Sequence, residues 1–283
     1  KTIEAIGRLD FIAVVDIALN DTAWYADVVL PEASYLERYD PLMALEGKVY
    51  IRQPVIEPQG EARSALWIYK QLGERLGLGD FFQYDDEEDY LRQQLAPLGL
   101  DLDLLKARGV LDSGIEPEPE GEIVFNTPSG KIEIYSETLA RAGYSPWPTW
   151  EEAPAPGPSE FYLLSGKVGQ HTQTATQNNL YLHQVEDPPR LWIHPQPAEE
   201  RGIRTNSRVR VTSPVGQIEV KALVTQGIRP DCVYMTVGYG HLSKGLTTAY
   251  AHGASDSDLH VTITDPISGG QALSQTFVTV ESA

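Results

Sequence analysis

The second half of the sequence contains a series of short runs in which polar and apolar residues alternate. Arginine alternates with valine in residues 208–213, and charged side chains alternate with apolar ones in residues 217–225. Such alternation gives each strand one solvent-exposed face and one buried face.

The turn sequence Pro214-Val215-Gly216 predicts a hairpin between these two runs, and a single short helix near residues 198–201 interrupts the series. The predicted strands are residues 161–165, 191–194, 208–213, 217–225, 232–237, 261–264 and 276–280. We expect them to close into a small barrel, which leaves no exposed edges.

The first region has an α/β pattern instead. Residues 11–17 form an apolar run that predicts a strand buried on both faces, and a second run, residues 26–30, ends at Pro31. Apolar residues at helical spacing predict a helix over residues 62–76, and two shorter helical patterns lie in residues 80–111. A two-sided strand this near the start lacks the elements that should cover it. Since the chain also begins with Lys1, we expect a piece of a longer protein.

Residues 144–160 contain five prolines, a density that predicts an extended connector. We place the main boundary there. The expected organisation is an α/β part over residues 1–79, a helical and extended linker over residues 80–157, and a β-rich domain over residues 158–283.

The composition excludes several classes of function. The 22 basic and 40 acidic residues give a net charge of −18, which repels nucleic acids and anionic membranes over about 8–10 Å. No segment approaches the roughly 18 apolar residues of a spanning helix. The single cysteine, Cys232, cannot form an internal disulfide, an iron-sulfur cluster or a structural zinc site. We therefore expect no nucleic-acid partner, no direct insertion into a membrane and no metal held by this chain alone.

Catalytic motifs are also absent from the sequence. No two of the six histidines have the helical spacing of a zinc site, and no Gly-x-Ser-x-Gly elbow occurs. Gly166-Lys167 lacks the rest of a P-loop, and Gly238-Tyr239-Gly240 lacks the third glycine of a dinucleotide motif, so we interpret it as a turn. None of these motifs identifies a catalytic residue in this chain. Residues 165–179 form the densest polar segment, with donors, acceptors and one cation on a glycine-containing backbone that suits a polar heterocycle with phosphates, or else an ordinary solvated loop.

Several stretches together resemble the molybdopterin oxidoreductases, the dimethyl-sulfoxide-reductase superfamily. The resemblance runs in order from residue 13 to residue 280. The matching stretches are Tyr25-Ala26-Asp27-Val28-Val29-Leu30-Pro31 with Leu36-Glu37-Arg38, Gly60-Glu61-Ala62-Arg63 with Trp67, Thr127-Pro128-Ser129-Gly130-Lys131-Ile132-Glu133, Leu164-Ser165-Gly166-Lys167 to His171-Thr172, His194-Pro195 with Arg201-Gly202-Ile203, and Asp265-Pro266-Ile267-Ser268-Gly269-Gly270.

The resemblance implies a fold and a cofactor. The start would be an α/β segment of a doubly wound, molybdopterin-binding domain, and residues 158–283 a β-rich double-psi β-barrel domain that touches both pterins. The cofactor implied is molybdenum or tungsten on two molybdopterin guanine dinucleotides. A [4Fe-4S] cluster and the metal ligand would lie upstream of this chain.

The same resemblance implies the contact residues. Lys167, in the place of the family's usual Arg, would meet the phosphates, as would Thr172, Gln173 and Thr174. His171 would bond to or stack on a pterin. The resemblance adds three further contacts: Asn178, Asp16, and Ser257 in the place of the family's Asn.

Within the superfamily the loop sequence looks most like the polysulfide and thiosulfate reductases. That implies a small inorganic sulfur substrate, an iron-sulfur subunit, a quinol-oxidising membrane anchor subunit and a periplasmic or other extracytoplasmic location. Arsenate reductase and formate dehydrogenase are the alternatives within the superfamily. Outside it, the rivals are a non-catalytic subunit and a binding module that keep the fold.

Overall fold

The computed structural model describes residues 2–115, 124–185, 189–272 and 275–283. The chain forms two compact units. The first, which we call the mixed unit, contains Ala13–Ile17 and Val29–Glu151. The second, the barrel unit, contains Lys1–Ile12, Ala18–Val28 and Glu152–Ala283. A short segment near the start of the sequence therefore belongs with the second half.

The helices and strands are, in chain order, α1 (Thr2–Ile6), β1 (Ala13–Asp16), β2 (Val28–Pro31), β3 (Met43–Leu45), β4 (Lys48–Tyr50), α2 (Ala65–Arg75), α3 (Glu87–Leu95), α4 (Leu102–Arg108), β5 (Val110–Asp112), α5 (Glu137–Arg141), β6 (Phe161–Gly166), α6 (Leu180–His183), β7 (Leu191–Ile193), α7 (Pro195–Glu200), β8 (Arg208–Thr212), β9 (Gln217–Val224), β10 (Cys232–Thr236) and β11 (Phe277–Ser282). Short 3-10 turns connect some of them. None of the helices in the described part of the chain is long and apolar enough to cross a membrane.

Side-chain caps define the helices of the mixed unit. Ser64 accepts a hydrogen bond from Trp67 N at the start of α2, and Asp86 accepts one from Asp89 N at the start of α3. Such caps satisfy N–H groups that the helix itself leaves without acceptors. The helix predicted over residues 62–76 is confirmed as α2, and the acidic run before residue 90 is a helix start. Leu91, on α3, is fully buried in the core of this unit.

The first strand agrees with the expectation only in part, because it forms but is shorter and more exposed than predicted. A strand is present, but it is limited to β1 and pairs with β2 alone. Phe11 and Ile17, on either side of it, are 63% and 60% exposed. The expectation that residues 11–17 are buried on both faces is therefore wrong for the described residues, because they supply no layer over either end of this run.

The β-rich half closes into a six-stranded barrel in the order β10-β6-β11-β8-β9-β7. β8 and β9 form the predicted hairpin, with Val209 opposite Val220. β6 pairs parallel with β10, and β7 pairs parallel with β9. Alternate residues of each strand fill one apolar core. The closed barrel is confirmed, and it is the double-psi β-barrel that the resemblance implies.

One predicted strand does not form. Residues 261–264 contribute only an isolated bridge between Thr264 and Gln271. The backbone of Val261 is held by side chains instead: its N–H donates to Thr276 Oγ1, and its carbonyl accepts from Gln271 Nε2. Side-chain bonds of this kind replace the ladder of a sheet.

Candidate functional site

Two stretches of the barrel unit contain no acidic residue, although the chain has 40. They are residues 161–185 and residues 232–255. Each contains a strand and the loop after it: β6 precedes what we call the first loop, residues 167–179, and β10 precedes the second loop, residues 237–255. Because β6 and β10 are parallel neighbours, both loops leave the same end of the barrel. Neither loop brings a carboxylate of its own to this end of the barrel, which favours the approach of an anionic group.

The first loop folds around two buried side chains. His171 is 7% exposed, and its Nδ1 lies 3.2 Å from Thr176 Oγ1, which also accepts a hydrogen bond from Thr172 N at 2.9 Å. Gln177 is 2% exposed and donates from Nε2 to the carbonyl of Gln173 at 3.4 Å. These bonds hold the loop from the inside. The side chains of Thr172, Gln173, Thr174 and Lys167 stay exposed.

The second loop packs against the first. Asn178 Oδ1 accepts hydrogen bonds from the backbone N–H groups of Thr248 at 2.8 Å and Ala249 at 3.2 Å. Gly238 has φ +93°, which disfavours a side chain, and a Cβ there would lie in tight contact, 3.2 Å from the carbonyl oxygen of Gln173. The oxygen of Asn178, expected to contact a cofactor, is thus used between the loops.

The carboxylate of Asp21 holds residues 241–243 of the second loop in place. One carboxylate oxygen lies 2.8 Å from His241 Nδ1, and the other accepts from Leu242 N at 2.8 Å and Ser243 N at 2.7 Å. Burial opposes ionisation, but the hydrogen bonds from the Ser243 backbone, His241 and the Leu242 backbone outweigh it and lower the pKa of Asp21. No local pattern signals this contact, because Asp21 and His241 are 220 positions apart in the chain.

Two expected contact residues lie outside the loops. Ser257 is exposed in the 3-10 turn Asp256–Asp258 of the barrel unit, directly after the buried Asp256. Asp16 ends β1 in the mixed unit, where its carbonyl accepts from Glu32 N at 3.1 Å. The structure therefore brings together Lys167, His171, Thr172, Gln173, Thr174 and Asn178 in one loop.

The donors of the first loop fit an anionic, heterocyclic group. Among the described residues, no carboxylate pairs with Lys167, and the backbone N–H groups of Val168, Gly169 and Gln170 have no intramolecular acceptor. A cation beside free N–H groups suits a pyrophosphate. The exposed amides and hydroxyls next to them can donate to and accept from a pterin or guanine ring. The residues present therefore fit a molybdopterin guanine dinucleotide.

The chain's own side chains do not suggest a metal centre. In the part of the chain that the structure describes, no group of three His, Cys, Asp or Glu residues is placed to hold a metal ion. Cys232 is buried in β10, and burial raises the pKa of its thiol, which opposes the thiolate form that metals bind.

Two family models match the chain. The model described as "Molybdopterin oxidoreductase" matches residues 1–75, and the model described as "Molydopterin dinucleotide binding domain" matches residues 161–277, a range that includes both loops. Among curated proteins, the thiosulfate reductase molybdopterin-containing subunit PhsA of Salmonella typhimurium is 35% identical over 95% of this chain and 39% of its own length. The F420-dependent formate dehydrogenase subunit alpha of Methanocaldococcus jannaschii is 30% identical over 87% of this chain and 37% of its own length.

The fold matches a solved structure as well. Acetylene hydratase from Pelobacter acetylenicus superposes with a TM-score of 0.84 and 22% sequence identity, covering 99% of this chain and 41% of that protein. The assimilatory nitrate reductase catalytic subunit of Bacillus subtilis is 30% identical over 83% of this chain and 34% of its own length. The chain thus spans between about a third and two fifths of the relatives it matches.

Proposed function

This chain belongs to the molybdopterin oxidoreductase family, and we propose that its barrel unit binds a molybdopterin guanine dinucleotide through the two acid-free loops. The observation that carries the proposal is the joining of residues 161–185 and 232–255, without a carboxylate of their own, at one end of the barrel of a chain with net charge −18. A bound pyrophosphate must be offset by cations or oriented N–H groups. The first loop provides both.

Exposed and buried residues of the first loop have different tasks in this proposal. Lys167, the N–H groups of residues 168–170 and the donors of Thr172, Gln173 and Thr174 bind phosphate oxygens. His171 is buried, so it orients the loop through its contact with Thr176. When bound, the molybdenum or tungsten of the cofactor supplies two-electron redox chemistry with oxygen or sulfur transfer.

The relatives support a cofactor role rather than a substrate-selecting role for this stretch. Proteins named as a thiosulfate reductase, a nitrate reductase and a formate dehydrogenase each align with more than four fifths of it. Their named reactions differ, so the sequence similarity over this stretch reflects a requirement that all of these enzymes have in common. We propose that this requirement is cofactor binding, since the name of PhsA includes molybdopterin and the dinucleotide-binding model matches residues 161–277.

For the whole enzyme we propose the reduction of thiosulfate or polysulfide, on the basis of the 35% identity to PhsA. Two electrons and two protons convert thiosulfate into hydrogen sulfide and sulfite. The electrons would reach the metal through a [4Fe-4S] cluster and an iron-sulfur subunit, from a membrane anchor subunit that oxidises quinol. The proposed location is extracytoplasmic, as in the periplasm.

The substrate is tested by assaying the purified complex with reduced quinone analogue and each acceptor in turn. We expect turnover with polysulfide or thiosulfate, with sulfide as a product. Arsenate and nitrate serve as competing acceptors, and formate as a competing donor. Turnover confined to arsenate or nitrate, or dominant formate oxidation, would refute the sulfur assignment and leave the cofactor assignment standing. The 283-residue chain alone is the control, and we expect it to be inactive.

A further inference from the structure

A buried ionisable pair lies in the barrel unit beneath the start of the first loop. Asp256 is 6% exposed, and its Oδ2 lies 3.1 Å from Nε2 of His260, whose side chain is also almost fully covered. Burying such a pair is costly, and an apolar pair would fill the same space without that cost. The barrel core itself is apolar. The pair therefore calls for an explanation other than the stability of the core.

The hydrogen bonds around His260 place a proton on Nε2. Its Nε2 lies 3.1 Å from Asp256 Oδ2 and 3.2 Å from Ser165 Oγ. Burial opposes ionisation of Asp256, but hydrogen bonds from His260 and Ser165 lower its pKa, so it is a carboxylate at neutral pH and can only accept. Nε2 must therefore carry the proton that it shares with the carboxylate.

The other nitrogen of the ring completes the network. Nδ1 of His260 lies 3.2 Å from Oγ1 of Thr276, a fully buried hydroxyl. Because this hydroxyl already accepts the N–H of Val261, its own proton is free to donate to Nδ1. Both ring nitrogens of His260, the Asp256 carboxylate and the hydroxyls of Ser165 and Thr276 therefore all have hydrogen-bond partners. A buried network that is fully satisfied fixes the positions of its members.

The network adjoins two exposed residues that are expected to contact the cofactor, Lys167 and Ser257. Ser165 lies two residues before Lys167 at the end of β6, and Asp256 directly precedes Ser257. The turn that contains Ser257 also packs closely against the hairpin between β8 and β9. Gly216 of that hairpin leaves no room for a side chain, since a Cβ there would lie 2.1 Å from the carbonyl oxygen of Asp258. The side chains of Lys167 and Ser257 come from distant parts of the sequence, yet one buried network sets the backbone beneath both.

We infer that Asp256 and His260 are positioning residues, which act through Ser165 to set Lys167 and through the adjoining turn to set Ser257 against the bound dinucleotide. The inference rests on the proposed function, since it concerns the same surface. It assigns roles to three side chains of the network: Asp256, which is buried, and His260 and Ser165, which are partly buried.

Asp256→Asn tests the inference in the loaded enzyme, with Asp258→Asn as the matched control. The amide that replaces the carboxylate would keep an acceptor for His260 but not a second one for Ser165, whereas Asp258 is an exposed carboxylate in the same turn. We expect Asp256→Asn to release the pterin dinucleotide about tenfold faster in mild denaturant, measured by the fluorescence of the oxidised pterin. Asp258→Asn is expected to release it at the wild-type rate. Equal rates for both variants would overturn the inference.

Variants of Ser165 provide a second test of the inference, which applies even if Asp256→Asn does not fold. Ser165→Ala removes the hydroxyl and should release the dinucleotide faster, whereas Ser165→Thr keeps the hydroxyl and should restore the slow release. A loss of stability alone would not be rescued in this way. Fast release from both variants, or slow release from both, contradicts the inference.

Hydrogen exchange separates failure of the inference from failure of the proposed function. In the protein without cofactor, Asp256→Asn should raise the exchange rate of residues 163–167 and leave β8 and β9 unchanged. If the wild-type protein never carries the dinucleotide, the proposed function fails, while this exchange result still reports on the network. If it carries the dinucleotide but exchange and release are unchanged by Asp256→Asn, only the inference fails.

Discussion

The variant Lys167→Glu should bind the dinucleotide at least about a hundredfold more weakly than the wild-type enzyme. A charge-assisted hydrogen bond contributes about 1.5–3 kcal/mol, or roughly ten- to a hundredfold in affinity, and the new carboxylate adds repulsion of the phosphates. It would also be the first acidic side chain in residues 161–185. The molybdenum content per protein, measured by elemental analysis after dialysis, reports the loss.

Lys221→Glu is the matched control for this charge reversal. Lys221 is an exposed lysine on β9, outside both loops, and its reversal changes the net charge by the same amount. We expect its molybdenum content to match the wild type. Equal losses in the two variants would mean that the overall charge, and not the first loop, governs binding.

Asp21→Ala should destabilise the barrel unit by about 3 kcal/mol at neutral pH. The change leaves His241 and the N–H groups of Leu242 and Ser243 without their acceptor, and hydrogen bonds to a charged group contribute about 1.5–3 kcal/mol each before solvent exposure is taken into account. The side chain of Asp21 is 40% exposed, which reduces the sum. Denaturant unfolding measures the difference. Asp10→Ala, a change at an exposed carboxylate of the same unit, should have little effect.

The effect of Asp21→Ala should also depend on pH. Because the pKa of Asp21 is lowered in the folded chain, its contribution is fully present above the ordinary value of 3.8 and is lost as the pH falls through the lowered value. The stabilities of wild type and Asp21→Ala should therefore converge in acid. A constant difference from neutral pH down to strongly acidic conditions would contradict the anchoring role of the carboxylate.

The barrel could be predicted from the sequence because its strands show the pattern that a one-sided core requires. Residues 217–225 alternate regularly, and β9 buries every second residue over most of its length. Residues 261–264 have similar composition, but Val261 bonds to the side chains of Thr276 and Gln271, a competition that strand propensity does not register. The burial of residues 11–17 was overestimated because an apolar run does not show which layers cover it.

The candidate site could be predicted only in part. Polar density and the resemblance identified the first loop, and they placed Lys167 and His171 in it. The second loop was interpreted as a turn at Gly238-Tyr239-Gly240, and its role depends on packing against Gln173 that no local pattern encodes. No local signal identifies Asp21, since His241 is 220 positions away in the chain. Asp256 and His260 are only four positions apart, but the contact of this pair with Ser165, 95 positions before His260, depends on the fold.

Lysine labelling tests the central claim, that the dinucleotide is bound at the two loops, most directly. The enzyme is acetylated with and without its cofactor, and the rate at each lysine is read by mass spectrometry. We predict that Lys167 in the first loop and Lys244 in the second are labelled several-fold more slowly when the cofactor is bound, while Lys131 and Lys221 react equally in both states. Equal labelling of Lys167 and Lys244 with and without the cofactor would contradict the account.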